Sequence, residues 1–233
     1  MDLIEPSSQA LQLLFTGDPD LWRIIFLSFW ISFVALVLAA PFAIAFGFIL
    51  ATKKFRGRRA LVIFSQAMMS FPTVVIGLIL YVLLSRHGPL GYFGLLFTPT
   101  AMVIGQSIIC FPVLVAYTLS AVQGADPRAW ETAIALGASP FSASIRTLLE
   151  VRFAVMAGIF TGFGRVISEV GCSLMVGGNV QGMTRNIPTA IALQTSMGAF
   201  AQGIALGLVL VTLALVVNFS LAILQGKGGL REA

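Results

Sequence analysis

Two helix-start signals follow each other in the stretch Asp126-Pro-Arg-Ala-Trp-Glu-Thr-Ala-Ile-Ala-Leu-Gly-Ala-Ser-Pro-Phe-Ser-Ala-Ser-Ile-Arg146. The carboxylate of Asp126 can accept hydrogen bonds from the free N–H groups of a first helical turn, and the proline after it loses nothing there by lacking an N–H. Gly137 ends this helix, and Ser139 before a second proline starts another, which runs to about Leu149. The stretch therefore predicts two short, polar helices joined by a glycine turn.

The chain on both sides of this stretch is apolar enough to be an integral membrane protein. Hydrophobic residues make up 58% and charged residues 10% of the 233 positions, and the mean hydropathy is +0.98, which a water-facing surface does not permit. Segments that cross a hydrocarbon core of about 30 Å must be helices, because lipid offers no partners to backbone groups. We therefore predict an all-α membrane protein with about five transmembrane helices, at residues 24–52, 60–85, 88–125, 153–176 and 203–224. Prolines at 41, 72 and 112 are expected to bend the first three.

Basic residues predict the orientation, because cytoplasmic flanks of membrane helices retain lysine and arginine. The decisive cluster is Lys53, Lys54, Arg56, Arg58 and Arg59, between the first two spans. Placing this cluster inside puts the N-terminus outside and the C-terminus in the cytoplasm. The expected organisation is an extracytoplasmic leader at 1–20, a transmembrane domain at 21–225 that includes cytoplasmic helices at 123–149 and an outer loop with a short helix at 177–200, and a cytoplasmic tail at 226–233.

Two charged residues, Arg165 and Glu169, lie inside the fourth predicted span. Each charge at the centre of a bilayer costs about 2.5–3.5 kcal/mol on insertion scales, so both side chains should face protein or water. Four residues apart, they would share one helix face and could pair. They are either a neutralised structural pair or residues that border a hydrophilic path.

A glycine-rich polar segment follows the fourth span. Glycines at 177, 178 and 182 free the backbone to turn. Asn179, Thr184, Arg185 and Asn186 add hydrogen-bond donors before Pro188 starts a short helix. These donors would converge on the outer side of the membrane, where they could meet an anion. The alternative is a plain polar surface loop.

Known catalytic and metal-binding patterns are missing from the sequence. His87 is the only histidine, so HExxH and histidine-based metal clusters cannot be built, and neither a GxSxG elbow nor a GxxxxGK[ST] phosphate loop occurs. We predict no catalytic residue, no metal site and no nucleic-acid partner, and energy must come through another molecule. A stand-alone channel or secondary carrier and an integral membrane enzyme are the rival classes, but the first does not need the polar helix pair and the second lacks a cluster of reactive groups.

The core Glu131-Thr-Ala133 followed by Gly137 resembles the EAA signature of permease subunits of binding-protein-dependent ABC importers. In that family the loop forms coupling helices that dock on the ATPase subunit. The resemblance implies that Glu131, Ala133 and Gly137 carry this coupling, and we add Asp126 and Ser139, which start the two helices, to the predicted coupling residues. The family signature closes with Ile-x-Leu-Pro, whereas this chain has Thr-Leu-Leu-Glu at 147–150.

Within these importers, the segment 162–171 with its Arg165 and Glu169, the segment 176–185 and Thr189-Ala-Ile191 look like the tungstate-type permeases, while molybdate and sulfate permeases share a related pattern. The resemblance implies a molybdate-permease-like helix bundle in a bacterial or archaeal cell membrane, working by alternating access. It implies a homodimer, two ABC ATPase subunits that bind ATP and magnesium, and an extracytoplasmic oxyanion-binding protein. It places no cofactor on this chain. Our mechanistic hypothesis, from their charges and donors, puts Arg165, Glu169, Asn179, Thr184 and Arg185 along the translocation path.

Overall fold

A computed structural model describes residues 15–225, and within that range the regular structure is helical, without strands. The predicted tail 226–233 and most of the predicted leader, residues 1–14, lie outside the described residues. The α-helices are α1 (Pro19–Thr52), α2 (Arg58–Met69), α3 (Thr73–Leu84), α4 (Pro99–Gln123), α5 (Pro127–Ala135), α6 (Pro140–Glu150), α7 (Arg152–Ile167), α8 (Gly171–Gly177), α9 (Ile187–Ser196) and α10 (Phe200–Gln225), with a 3₁₀ turn at Gly91–Phe93.

Three of these helices, α1, α4 and α10, are each long and apolar enough to cross a membrane. Two bent pairs can each supply one more crossing: α2 with α3, bent by 99°, and α6 with α7, bent by 69°. The described chain thus has three to five candidate spans, which agrees with the prediction of an all-α membrane protein with about five.

The second predicted span, 60–85, is not one bent helix as expected. The N–H groups of Ser70 and Phe71 turn back to the carbonyls of Ala67 and Met68, which closes α2. Pro72 is extended, with φ −62° and ψ 119°, and it precedes the first residue of α3. Because Pro72 has no N–H to give to α2, the chain is free to leave the helix axis there. In α1 and α4, by contrast, Pro41 and Pro112 lie within continuous helices.

The fourth predicted span, 153–176, is also divided. Helix α7 ends at Ile167, where Ser168 follows as its C-cap and donates its hydroxyl to the Gly164 carbonyl at 2.9 Å. The short helix α8 begins three residues later at Gly171. The fifth prediction, 203–224, is confirmed by α10.

The core lies where α1 runs along α4. A Cβ atom added to Gly47 of α1 would lie 2.9 Å from the Val115 carbonyl of α4, so the two backbones touch. Ser107 of α4 donates its hydroxyl to the Ala35 carbonyl of α1 at 3.2 Å. Small residues and polar side chains of this kind hold membrane helices together, because apolar contact alone gains little against lipid. Fully buried side chains of this core include Ile31, Ala35, Leu50, Met102, Leu114 and Val166.

Helix α7 packs against both α4 and α1. A Cβ atom on Gly158 would lie 2.5 Å from that of Tyr117, so only glycine fits there. The opposite surfaces of α1 and α10 stay uncovered, with Phe42 and Phe219 each 72% exposed. Such faces in a membrane protein contact lipid or another subunit.

Candidate functional site

The polar stretch predicted to form two capped helices does so in the structure. The Asp126 carboxylate accepts from the Arg128 N–H at 2.9 Å, and the Ser139 hydroxyl accepts from the Ser142 N–H at 3.2 Å. Gly137 between α5 and α6 has φ +86°, a conformation that glycine adopts without strain. The local structure is confirmed, and the coupling role of these residues stays a prediction.

This polar helix pair exposes large apolar side chains on part of its surface. Leu136 is 83% and Phe141 is 74% exposed, and Ala133 and Gly137 line a shallow cavity of about 420 Å³ beside Leu136. Glu131 is exposed and lines a separate cavity of about 580 Å³. Exposed apolar groups rimmed by polar ones are typical of a surface that binds another protein.

An aromatic contact connects the helix pair to the membrane core. The ring centroids of Trp130 in α5 and Phe48 near the C-terminal end of α1 are 6.5 Å apart. Phe48 belongs to the buried side of α1, at 8% exposure. Through this ring contact, a movement of α5 would press on α1.

The predicted pair Arg165 and Glu169 is not a pair in the structure. Glu169 lies beyond the end of α7, so the four-residue spacing no longer places both side chains on one helix face. Its carboxylate is buried and accepts from the Cys172 N–H at 3.0 Å, at the start of α8. Arg165 is exposed in the last turn of α7, where the helix dipole favours a positive charge. The ion-pair alternative is thus not seen among the described residues, because α7 ends between the two residues. The alternative that they border a hydrophilic path stays a prediction.

The two helix breaks meet. A Cβ atom on Gly171, at the start of α8, would lie 2.4 Å from Val74 Cγ2 and 3.4 Å from Thr73 Oγ1, at the start of α3. One on Gly77 of α3 would lie 2.8 Å from Cys172 Cα in α8. Interrupted helices that pack at the same depth are the usual place for a transport path or gate in membrane transporters. This junction was not predicted from the sequence, although Pro72 and Gly171 mark it.

In the outer loop, two of the predicted donors, Asn179 and Thr184, form hydrogen bonds within residues 177–189. The Thr184 hydroxyl accepts from the Val180 N–H at 3.0 Å and donates to the Gly177 carbonyl, and its side chain is fully buried. Asn179 has φ +50°, and its side-chain Nδ2 donates to the Thr189 carbonyl at 3.5 Å. Both residues therefore shape the loop in this structure.

Arg185, another predicted donor, lines a cavity of about 470 Å³ between the start of α1 and the helices α9 and α10. We name it the outer cavity after the side on which its loop is predicted to lie. Arg23 lines it as well, and a Cβ atom on Gly182 would lie 3.3 Å from the Arg23 guanidinium. Among the described residues neither arginine has an ion-pair partner, and Arg185 Nε is buried without a hydrogen-bond acceptor. Arg23 was not predicted as a site residue; it is the single basic residue at the start of the first apolar span, which could have indicated it.

The cavity is not purely basic. Asp18 and Asp20 also line it, but Asp18 Oδ1 already accepts from the N–H groups of Asp20 and Leu21 at 2.9 and 3.1 Å as the cap of α1. The remaining polar lining is neutral amides: Gln181, Gln194 and Gln202. The two guanidinium groups and the side-chain amides of this cavity can donate hydrogen bonds to a bound anion.

The outer loop is fixed firmly to the bundle. Asn186 and Thr189 form a capping box at the start of α9, and Asn186 also donates to the Ser173 hydroxyl at 3.2 Å. The next N–H, of Ile187, donates to the Ser28 hydroxyl of α1 at 2.7 Å. No group of three His, Cys, Asp or Glu side chains that could hold a metal ion occurs within residues 15–225.

Comparison with known proteins places this architecture. Residues 43–227 match the family described as binding-protein-dependent transport system inner membrane component. The tungstate uptake system permease protein TupB of Peptoclostridium acidaminophilum is 38% identical over 93% of this chain and 95% of its own length, and that of Campylobacter jejuni is 39% identical over 91% and 88%. The crystal structure of an amino acid ABC transporter with histidines shares the fold, with a TM-score of 0.65 and 14% identity, over 92% of this chain and 96% of that one.

Proposed function

We propose, because this chain belongs to the family of inner membrane components of binding-protein-dependent transport systems, that it is the permease subunit of an ATP-driven importer of tungstate. The observation that carries the proposal is the similarity to two tungstate uptake permeases, at 38–39% identity over more than nine-tenths of the chain. The chain supplies the path and not the energy, since its sequence has no phosphate-binding loop.

The working assembly is two copies of this chain, two ATPase subunits that bind ATP and magnesium, and an outer protein that delivers the oxyanion. The capped helices α5 and α6 dock on the ATPase, through Glu131, Ala133, Gly137 and the apolar side chains beside them. The contact of Trp130 with Phe48 supports this role, because it gives a movement of the docked pair a direct connection to α1. The basic cluster between α1 and α2 supports a cytoplasmic location for α5 and α6, with the N-terminus outside and the C-terminus inside.

A doubly charged oxyanion cannot enter hydrocarbon, since the cost for an isolated ion at low dielectric is on the order of tens of kcal/mol. Arg185 and Arg23 in the outer cavity receive the anion from the delivery protein. The unpartnered Nε of Arg185 supports this step, because a buried donor without an acceptor is costly unless a ligand completes it. ATP-driven closure then moves α3 and α8 at their shared junction and opens the route inward, past Arg165.

The test is tungstate accumulation in cells that have this chain and its partners, compared with cells that lack this chain. We expect accumulation only in the first, with molybdate and sulfate taken up less. Equal accumulation in both cell types contradicts the proposal, and preferential accumulation of molybdate or sulfate reassigns the substrate.

The role of Arg185 is tested in the same assay by Arg185→Gln, with Arg86→Gln, an exposed arginine outside the cavity, as the matched control. Hydrogen bonds to a charged group contribute about 1.5–3 kcal/mol, so we expect uptake to fall roughly tenfold or more in the first variant only. Normal uptake by Arg185→Gln at normal membrane levels would remove Arg185 from the path.

A further inference from the structure

An apolar cavity of the described chain opens between α1, α2 and α4. Its volume is about 550 Å³, and its walls are almost entirely hydrocarbon, including Phe42, Phe46, Leu61, Phe64, Met68 and Phe111. The side chains at its mouth are uncovered: Phe42 is 72% and Phe64 is 62% exposed. None of the transport steps above uses this cavity.

The cytoplasmic end of the cavity is strongly basic. Helix α1 ends at Thr52 and α2 begins at Arg58, so the basic cluster of residues 53–59 lies where the two helices meet. Arg58 Nε donates to the Leu50 carbonyl, which ties the start of α2 to the end of α1. Leu61 follows Arg58 by three residues, about 4.5 Å along the same helix face, so the positive charges begin one turn from the apolar wall.

Within residues 15–225 the cluster is not neutralised, although Lys53 lines the cavity of about 580 Å³ that Asp126 and Glu131 also line. Lys53, Lys54, Arg56 and Arg59 are exposed, and no ion pair involves the cluster among the residues that the structure describes. A ligand that suits both features is long and apolar at one end and negatively charged at the other. Basic residues beside clefts between membrane helices on the cytoplasmic side bind anionic lipid headgroups in this way.

We propose that this cavity binds one anionic phospholipid per copy of the chain, with an acyl chain against Phe42, Phe64 and Met68 and the phosphate against the basic cluster. The lipid completes the bundle on this face, because it fills a cleft that no other described element covers. The proposal is independent of the transported substrate.

A second copy of the chain is a poorer occupant of the same cavity. The two-fold axis of a membrane dimer runs along the membrane normal, so the same patch of both copies meets at the same depth. An interface through this cavity would bring two clusters of five positive charges together at its cytoplasmic end. Like charges near a protein surface repel by about 4 kcal/mol at 4 Å for an effective dielectric of 20, whereas a phosphate neutralises them.

The experiment is native mass spectrometry of the purified complex, equilibrated with equal amounts of phosphatidylglycerol and phosphatidylcholine. We expect the unmodified complex to retain phosphatidylglycerol at least several-fold over phosphatidylcholine. The double variant Lys54→Gln with Arg59→Gln should lower the ratio of retained phosphatidylglycerol to phosphatidylcholine at least fivefold. A fivefold change corresponds to about 1 kcal/mol of lost attraction between the lipid phosphate and the basic residues. The matched control is Arg128→Gln with Arg152→Gln, two exposed arginines outside the cluster, and it should leave the ratio unchanged.

A third variant separates binding in the cavity from binding of the headgroup alone. Met68→Trp narrows the apolar wall, and we expect it to reduce phosphatidylglycerol retention with the basic cluster intact. If Met68→Trp retains as much phosphatidylglycerol as the unmodified complex, the proposal is overturned. Equal retention of the two lipids by the unmodified complex also overturns it, and this measurement does not depend on the folding of any variant. A disulfide between the two copies of a Phe64→Cys chain would assign the cavity to the second copy and also overturn it.

Discussion

The junction between the two broken helices can be tested by adding a single methyl group. Gly171 at the start of α8 has no room for a side chain, because its Cβ atom would lie 2.4 Å from Val74 Cγ2. Gly164, seven residues earlier in α7, has nothing within 4 Å of the same added atom. Gly171→Ala and Gly164→Ala thus make the same chemical change in a filled and an empty environment.

The expected cost of Gly171→Ala follows from the contact. Carbon atoms approach favourably to about 3.5–4.0 Å, so Val74 must move by about 1 Å or more, and its branched side chain cannot turn away freely. Overpacking of this kind costs about 1–3 kcal/mol. At Gly164 the methyl group meets no such contact, and the gain in helix propensity of alanine over glycine, about 1 kcal/mol, remains.

The assay is thermal unfolding of the purified complex in one detergent, together with tungstate uptake. For a chain of this size about 1 kcal/mol shifts the midpoint by 2–4 °C, so Gly171→Ala should unfold several degrees below Gly164→Ala. Val74→Ala removes the clashing atom, and the double variant Val74→Ala with Gly171→Ala should recover the loss, with a coupling of about 1–2 kcal/mol. If the two single effects simply add, α3 and α8 do not touch as described and the junction is not a gate. If stability recovers but uptake does not, the junction is needed for movement as well as for packing.

Three further predictions concern the coupling helices, the outer loop and the orientation. Gly137→Val should reduce co-purification of the ATPase at least tenfold, while Gly198→Val, which places the same side chain at a similar φ of +77° in the outer loop, should cost stability alone; equal ATPase recovery from both would remove Gly137 from the docking surface. Asn186→Ala deletes the cap of α9 and should lower the free energy of unfolding by about 1 kcal/mol, measured by thermal unfolding, and an unchanged midpoint would contradict the capping role. A membrane-impermeant thiol reagent added to intact cells should label Gln181→Cys and not Ser142→Cys, against the low background of the buried native cysteines; the reverse pattern would invert the topology.

The capped helix pair shows how well local signals can predict structure. Asp126, Gly137 and Ser139 act on backbone groups within three residues of themselves, so their effect is written in the sequence. The first and last spans were predictable for a similar reason, because a long apolar helix satisfies its own hydrogen bonds and needs no partner to be recognised. The predicted break of α5 from α6 and the bounds of α10 follow from these two rules.

The candidate site was less predictable, because its members are far apart in the chain. Arg165 and Glu169 fit a paired pattern, yet the helix ends between them and Glu169 caps α8 instead. Thr184 was expected to face the path and is buried within its own loop. Arg23 reaches the cavity of Arg185 from the first helix, and no spacing rule connects two residues 162 positions apart.

The amino-acid sequence by itself determined that this chain lies in a membrane and where a polar helix pair interrupts it, because each depends on hydropathy or on a cap within a few residues. The tertiary structure alone decided that Pro72 and Gly171 bring two broken helices together, that two distant arginines share one outer cavity, and that a basic cluster ends beside an apolar cleft. These are contacts between separate helices, and they depend on how small residues allow backbones to approach, which hydropathy along a single helix does not contain.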